Sequence, residues 1–221
     1  VANLMFAGRC ASCTHIAMSS TRVAGTAAVM GQAAGTAAAM ATARGAAPAE
    51  VWDDIESLQQ ILLADDAWWP GATMRFNELT ASAKYDASSG DPAPLRDGVN
   101  RPVGDDDHAW SYACGDALEI RLAAPAVVRR LVLVADSALH SEIQMSHWQG
   151  NEQLTSPPES LLRDAAVDVL VGGRWEPRRR IKGNVQRLVR VPVDRRCEGV
   201  RAMPERNWGA GRSRLFAAWL E

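Results

Sequence analysis

The longest uncharged stretch of the sequence, residues 23–43, constrains the fold more than any other feature. It consists almost entirely of small residues, and Gly25, Gly31 and Gly35 recur along it. Each glycine costs about 1 kcal/mol relative to alanine in a helix interior, so three of them need a structural reason. Small side chains let a backbone approach another helix, a sheet or a flat cofactor. The stretch therefore predicts a long helix that another helix, a sheet or a cofactor approaches closely. Gly45 is its expected C-cap.

The residues before this helix form an apolar run and a polar loop. Residues 4–7 are apolar and end at Gly8, which predicts a short buried strand. Ser19, Ser20 and Thr21 are three candidate N-caps, with Arg22 opening the helix. The free N–H groups and the dipole of a helix N-terminus attract anions. A strand, a polar turn and a close-packed helix N-terminus together suit a negatively charged cofactor.

Four segments follow a known pattern: residues 3–10, 14–15, 19–23 and 31–38. On these segments the chain resembles the C-terminal, FAD-contacting part of bacterial FAD-dependent oxidoreductases with a two-dinucleotide-binding-type fold. Ser19 departs from the family pattern, which has glycine there. No Gly-x-Gly-x-x-Gly follows a strand, so the part that holds the ADP half of FAD is missing. The resemblance thus implies a fragment of a flavoprotein oxidoreductase.

The resemblance also implies roles for individual residues. It predicts FAD contacts from Gly8, Arg9, Ser20, Arg22, Val23 and Ala24. Positive charge near the ring would stabilise the anionic reduced flavin. His15 is the candidate catalytic residue, as a base or a substrate contact, and the alternative is a hydrogen-bonded structural histidine. Tight FAD binding by this chain alone is not expected, because the pyrophosphate-binding turn is missing.

Two other interpretations of this region are weaker. An uncharged stretch with Gly31-x-x-x-Gly35 imitates a membrane helix, but insertion is driven by Leu, Ile, Phe and Val at about 0.3–0.6 kcal/mol each. Only Val23 and Val29 belong to that set. Cys10-x-x-Cys13 with His15 could be a redox dithiol or half of a zinc site. A thioredoxin-like dithiol opens a helix directly after a strand, whereas a polar loop follows here. Structural zinc needs four ligands, and only three cluster here. We therefore predict neither a membrane span nor a metal site.

The composition limits the remaining classes of function. The chain has 221 residues and a net charge of −2, which allows one large or two small domains and argues against nucleic acid as a partner. Its 4 cysteines are too sparse for a disulfide scaffold, which favours a reducing, cytoplasmic location. The sequence opens without a basic and apolar leader and without Met, so we expect it to begin inside a domain.

The remainder of the chain divides into a second helix and a β-rich half. Apolar spacing predicts a helix over residues 50–63. The Asp, Trp, Pro and Gly of segment 65–71 break that pattern and predict a linker, which we place at residues 67–72. Short apolar runs separated by turn residues then predict an antiparallel sandwich. Gly172 and Gly173 predict a two-residue hairpin turn, and the alternation of apolar and charged residues from Leu118 to Leu122 is typical of a half-buried strand. The predicted strands are residues 117–122, 127–134, 166–171, 174–181, 186–191, 199–203 and 212–220.

The β-rich half resembles discoidin-like, galactose-binding-like jelly rolls. The resemblance rests on residues 80–83, 95–102, Trp110, 118–122 and 127–136. It implies a domain of a kind that also closes some of the FAD-dependent oxidoreductases named above.

Three features of this half are candidate binding elements. Asp97, Asn100, Asp105, Asp106 and Asp107 form an acidic loop that suits either a hard cation or solvated turns. Flat aromatic rings near predicted loops suit either a sugar platform or the core, and these are Trp110, Trp148 and Trp208. Arg178, Arg179 and Arg180 are expected to protect an exposed strand edge.

These observations predict an α+β chain in three parts. Residues 1–66 form a partial FAD-binding segment of one strand and two helices, residues 67–72 a linker, and residues 73–221 a galactose-binding-like β-sandwich. The predicted function is the C-terminal portion of an FAD-dependent oxidoreductase. The alternative is a non-catalytic glycan- or protein-binding module with a helical arm. Expected partners are the missing N-terminal FAD-binding part, a second copy of the chain, and carbohydrate.

Overall fold

A computed structural model describes residues 2–139, 141 and 156–221. The chain divides into two compact units, Val1–Met74 and Arg75–Glu221, which we call the helical unit and the sandwich unit. No helix in the described part of the chain combines the length and the apolar character that crossing a bilayer requires.

The helical unit contains three α-helices and two 3₁₀ turns. Helix α1 spans Met18–Thr21, α2 spans Ala24–Arg44 and α3 spans Ile55–Ala64. The 3₁₀ turns span Gly8–Cys10 and Pro48–Asp54. Helix α2 ends as predicted at Gly45, whose φ of 63° allows its N–H to cap the carbonyls of Ala41 and Thr42.

A small core joins the C-terminal part of α2 to the elements that follow. Its buried members are Ala37, Met40, Ala41, Val51, Leu58 and Leu62. The predicted helix over residues 50–63 is split, because a 3₁₀ turn opened by Pro48 precedes α3. Ala67 and Trp69 pack against the same core.

Two local predictions for this unit are wrong. Residues 4–7 form no strand, since no neighbouring strand in the described residues supplies the hydrogen bonds that a strand requires. None of the three hydroxyl residues caps α2. Ser20 and Thr21 belong to α1, and the N-cap of α2 is Val23.

Among its described residues, the sandwich unit contains one short α-helix, α4 at Glu78–Ala81, a 3₁₀ turn at Ala93–Arg96, and seven strands. The strands are β1 Lys84–Ala87, β2 Trp110–Tyr112, β3 Leu118–Ala135, β4 Leu162–Val171, β5 Arg174–Ile181, β6 Leu188–Asn207 and β7 Ser213–Leu220. Their order is β2-β7-β3-β6-β4-β5, with β1 on β3, and the pairs are antiparallel.

Strands β3 and β6 run through both layers of the sandwich. Residues 118–121 pair with 199–202 and with β1, whereas residues 131–134 pair with 188–191 and with β7. A register shift between Arg121 and Ala126 separates the two halves. Inward side chains of both layers join one core, which includes Ile120, Val167, Leu133 and Leu215. The predicted α+β class with an antiparallel jelly-roll sandwich is confirmed.

Glycines serve two different purposes in this unit. Gly172 and Gly173 have φ of 56° and 73° and form the predicted turn between β4 and β5. Gly199 lies so close to β3 that an added Cβ would sit 2.8 Å from the carbonyl oxygen of Ile120. A side chain at this position would therefore push β6 away from β3.

Candidate functional site

The candidate flavin-facing surface begins where the N-terminal loop lies against α2. Gly8 has φ of +78°, a conformation that favours glycine, and an added Cβ would lie 3.7 Å from the Cβ of Ala27. Arg9 follows it and is exposed. The loop therefore places Gly8 beside the first turn of the long helix.

The N-terminus of α2 carries no side-chain cap. Val23, the N-cap, has φ −84° and ψ 154° and supplies no capping hydrogen bond, and the first turn has no acidic residue. The first N–H groups of a helix have no partner within it, and the helix dipole places positive charge there. Val23 and Ala24 are exposed to solvent. This end of α2 fits an anionic group.

The other predicted site residues lie around this helix end. Arg22 directly precedes the N-cap, is exposed, and donates from Nη1 to Met18 Sδ at 3.4 Å. The carbonyl of Ser20 accepts from the hydroxyl of Thr26 at 3.1 Å. The structure thus brings Ser20, Arg22, Val23 and Ala24 to one helix end.

His15 is exposed in the loop, and its ring has no hydrogen-bond or ion-pair partner among the described residues. Its backbone carbonyl accepts from the N–H of Met18 at 3.3 Å. Within the described part of the chain, no side-chain hydrogen bond or ion pair joins His15 to Arg9 or to the start of α2. Its catalytic role stays a prediction.

The two cysteines of this loop are ordinary free thiols. Cys10 is exposed, and Cys13 Sγ accepts from the hydroxyl of Thr21 at 3.3 Å. No cluster of three metal-ligating side chains occurs within residues 2–139, 141 and 156–221.

The glycine-bearing face of α2 was expected to pack closely against a helix, a sheet or a cofactor. Within this unit no other residue packs against its glycines. Added Cβ atoms at Gly25, Gly31 and Gly35 would contact nothing within 4 Å. The large apolar side chains nearby are mostly accessible, with Phe6 at 69% and Ile16 at 89% exposure. The helical unit therefore presents apolar surface beside an uncapped helix end.

In the sandwich unit, carboxylates of the acidic loop already have hydrogen-bond or ion-pair partners within the protein. The carboxylate of Asp97 lies 2.7 Å from Nδ1 of His108. The carboxylate of Asp107 forms an ion pair with Arg214 at 2.6 Å. Asp106 accepts from the backbone N–H of His108 at 2.9 Å. These partners favour a self-contained turn over a cation site.

Of the tryptophans predicted as sugar platforms, Trp110 is enclosed by the core and Trp208 carries an arginine over its ring. Trp110 is fully buried, donates to the carbonyl of Ser89 at 2.7 Å and packs on Tyr112 at 5.3 Å. The guanidinium of Arg163 lies 4.7 Å from the ring centre of Trp208. Trp148 lies outside the described residues. The platform prediction is therefore wrong for Trp110, because the core takes its ring.

Sequence reasoning missed a charged network on the outer face of the sandwich. Arg201 pairs with Asp168 at 2.7 Å and lies 4.6 Å above the ring of Trp175, which Arg121 also approaches at 5.7 Å. These residues come from β3, β4, β5 and β6. Only the strand register brings them together, and no local signal in the sequence indicates it.

Comparison with known proteins finds a family match within the helical unit. Residues 1–62 match the family model described as FAD dependent oxidoreductase. No curated protein matches the chain.

Solved structures similar to the chain include the family 32 carbohydrate-binding module from Streptococcus pneumoniae EndoD. It has 16% identity and a TM-score of 0.47, over 63% of this chain and 94% of that one. The family 32 module from C. perfringens NanJ in complex with galactose has 11% identity and a TM-score of 0.46, over 63% and 93%. Chitosan-binding module 1 from Paenibacillus sp. IK-5 has 14% identity and a TM-score of 0.44, over 63% and 95%. The segment similar to FAD-dependent oxidoreductases thus coincides with most of the helical unit.

Proposed function

We propose that this chain is the C-terminal portion of a bacterial FAD-dependent oxidoreductase, in which the helical unit supplies one wall of the flavin site. The observation that carries the proposal is the match of residues 1–62 to that family. The uncapped N-terminus of α2 supports it independently, because an exposed set of N–H donors without a nearby carboxylate suits an anionic group.

The residues present fit the proposed group. When bound, FAD supplies a ring that accepts hydride from the substrate. Gly8 would let the backbone approach it, and Arg9 would face its phosphates or ribityl chain. Arg22 and the N–H groups of Val23 and Ala24 would supply positive charge at the ring edge. Ser20 would contribute a polar contact, and His15 is the candidate base or substrate contact.

The open apolar surface of the helical unit supports a further part of the proposal. Phe6, Ile16, Val23 and Val29 are each at least half exposed. Burying apolar surface yields about 25 cal/mol per Å², so a partner is favoured there. We propose that the N-terminal FAD-binding part covers it, and that a second copy of the chain is the alternative cover.

A second candidate function is a non-catalytic binding module with a helical arm. The sandwich unit favours it, because that unit closes a continuous core from its own strands. Under either function the free thiols of Cys10, Cys13 and Cys114 suit a reducing cytoplasm.

The test compares the 221-residue chain with the longest polypeptide encoded in frame around it. We expect that polypeptide to contain Gly-x-Gly-x-x-Gly after a strand and to purify yellow, with stoichiometric flavin absorbance. We expect FAD titrated into the shorter chain to give no saturable change in flavin fluorescence. A colourless full polypeptide without the glycine motif would favour the binding module instead. Stoichiometric flavin in the shorter chain would contradict the predicted loss of binding.

A further inference from the structure

The N-terminal part of the helical unit carries positive charge without any carboxylate of its own. Residues 1–49 contain no Asp or Glu, and the first acidic residue of the sequence is Glu50. Arg44 reaches forward along the chain and pairs with Asp54 at 2.5 Å. Arg22 has no carboxylate partner within the described part of the chain. The contact that orients the side chain of Arg22 is therefore of another kind.

Met18 contacts Arg22 through both its backbone and its side chain. The N–H of Arg22, which is the C-cap of α1, donates to the carbonyl of Met18 at 3.1 Å. Nη1 of Arg22 donates to Sδ of Met18 at 3.4 Å. Residues four positions apart lie on the same side of a helical turn, so their side chains can meet. One residue thus holds Arg22 at its backbone and at its guanidinium.

The turn that carries Met18 is itself tied to the loop before it. The N–H of Met18 donates to the carbonyls of Thr14 and His15 at 3.1 and 3.3 Å. At the other end of α1, the hydroxyl of Thr21 donates to Sγ of Cys13 at 3.3 Å. These hydrogen bonds fix the backbone of Met18, so its sulfur is a defined acceptor for Arg22.

A thioether suits this position because it is a weak, uncharged acceptor. A carboxylate in its place would form a charge-assisted pair and neutralise the guanidinium. The thioether orients Arg22 and leaves its positive charge intact. Val23, the N-cap of α2, follows directly, and the dipole of that helix adds positive charge at the same end. The start of α2 therefore keeps two sources of positive potential.

We infer that Met18 is a positioning residue for Arg22, whose guanidinium its thioether holds at the start of α2 without neutralising it. The inference rests on the proposed flavin function, because a cation placed there stabilises an anionic reduced ring beside it. It adds a residue that lies outside the segments of the family pattern and outside the candidate flavin contacts.

The first test uses the 221-residue chain without flavin. Nitrogen-15 NMR of the arginine Nε–Hε groups measures side-chain order, and Arg22→Lys identifies the Arg22 signal by removing it. Met18→Leu keeps the side-chain volume and removes the sulfur acceptor, so we expect it to lower the heteronuclear NOE of that signal. Met30→Leu is the matched control, since it makes the same change at a half-buried position of α2 and should leave the signal unchanged.

The second test is a spectroscopic redox titration of the full polypeptide with its FAD-binding part. At the potential where the parent flavin is half reduced, Met18→Leu should lower the ratio of reduced to oxidised flavin about two- to threefold, the scale of one weak hydrogen bond. Met18→Glu should lower that ratio about tenfold, as Arg22→Ala should, because its carboxylate neutralises the cation. The double variant with Met18→Leu and Arg22→Ala should match Arg22→Ala alone, since Met18 acts through Arg22.

The outcomes separate this inference from the flavin proposal. If Arg22→Ala lowers the flavin potential and Met18→Leu does not, or if the two losses add in the double variant, Met18 is no positioning residue and the flavin proposal stands. An unchanged Arg22 signal in Met18→Leu, with the circular dichroism of the parent chain, would overturn the inference in the same way. If the full polypeptide holds no flavin, the flavin proposal falls and this inference falls with it.

Discussion

The sandwich unit buries its large apolar side chains, whereas the helical unit leaves several of them exposed. In the sandwich unit, Leu118, Ile120, Leu131 and Leu133 are at most 1% exposed, in one continuous core. In the helical unit, Phe6 is 69% exposed, beside a helix whose glycines contact nothing. One unit is complete as a folding unit, whereas the other keeps an apolar face open.

The difference follows from side-chain size. Helix α2 buries only Ala37, Met40 and Ala41, since its alanines and glycines offer little area to pack. Strands of the sandwich carry branched and aromatic side chains on alternate positions, so two layers interlock. A helix of small residues is stable next to a partner that comes close, and the proposed flavin domain is such a partner.

The largest expected effect contrasts two tryptophans. Trp110→Ala should lower the free energy of unfolding of the sandwich unit by about 3–5 kcal/mol, because it leaves a cavity and removes the bond to Ser89. Trp52→Ala should change stability by less than about 0.5 kcal/mol, since Trp52 is 74% exposed. Urea denaturation followed by far-UV circular dichroism measures both. A Trp52 effect as large as that of Trp110 would mean that the helical unit is not open.

The second contrast uses glycines and has opposite signs in the two units. Gly199→Ala should destabilise the sandwich unit by about 1–3 kcal/mol, because the new Cβ would overlap the carbonyl oxygen of Ile120. Gly31→Ala should stabilise α2 by about 0.5–1 kcal/mol, because nothing lies near that position and alanine favours a helix.

Thermal melts of the 221-residue chain at 222 nm measure this pair. The same substitution, Gly31→Ala, should also be made in the full flavoprotein. There a partner packed on α2 should make the substitution lower the stability, because the added methyl group would collide with that partner. A loss already present in the short chain would contradict the open face.

Local sequence rules predicted the parts that depend on neighbours along the chain. They identified α2 with its cap at Gly45, the Gly172-Gly173 turn and the alternating strand near Leu118. Pro125 and Pro192 look like chain breaks, yet β3 and β6 continue through them by bending at register shifts. Whether a strand continues through a proline depends on its pairing with neighbouring strands, and no local sequence pattern indicates that pairing.

The candidate sites show the same limit. The sequence placed Arg22 and Val23 at a helix start, and the structure does so too. The partners of Trp110 and the network of Arg201 depend on contacts between distant strands. A strand at residues 4–7 needs a neighbour that the helical unit lacks, which is why its apolar pattern gave the wrong structure.

A third prediction contrasts two aspartates on acidification. Asp164 is 3% exposed, and burial raises its pKa. The hydrogen bond from Gly183 N–H and the charge of Arg206 at 2.6 Å outweigh burial and hold the pKa below its usual range. A lowered pKa stabilises the fold above the unfolded value of about 3.9, and this stability is lost as the pH falls through the folded pKa.

Asp164→Asn should therefore cost about 1–3 kcal/mol at pH 7 and flatten the loss of stability below about pH 4. In the helical unit, a hydrogen bond from Ser57 and the nearby Arg44 lower the pKa of Asp54, whose side chain is 39% exposed. Asp54→Asn should change the pH profile little, because solvent screens an exposed pair. Urea titrations between pH 3 and 7 measure both, and identical profiles for the two variants would contradict the contrast in burial.

The smallest expected effect tests the open unit in its proposed setting. In the full polypeptide with its FAD-binding part, Arg22→Ala should lower the flavin reduction potential by on the order of 30 mV, about 1.4 kcal/mol for a two-electron couple. The physical reason is loss of positive charge beside the anionic reduced ring.

Arg44→Ala is the matched control: it removes the same exposed charge from the far end of α2, about 30 Å away, where charge is screened. Arg22→Lys should restore most of the potential, because it keeps the charge. A spectroscopic redox titration separates this role from a structural one, since a misfolded loop would release flavin in both Arg22 variants. Equal potentials in Arg22→Ala and Arg44→Ala would remove Arg22 from the flavin site and leave α2 as a packing helix only.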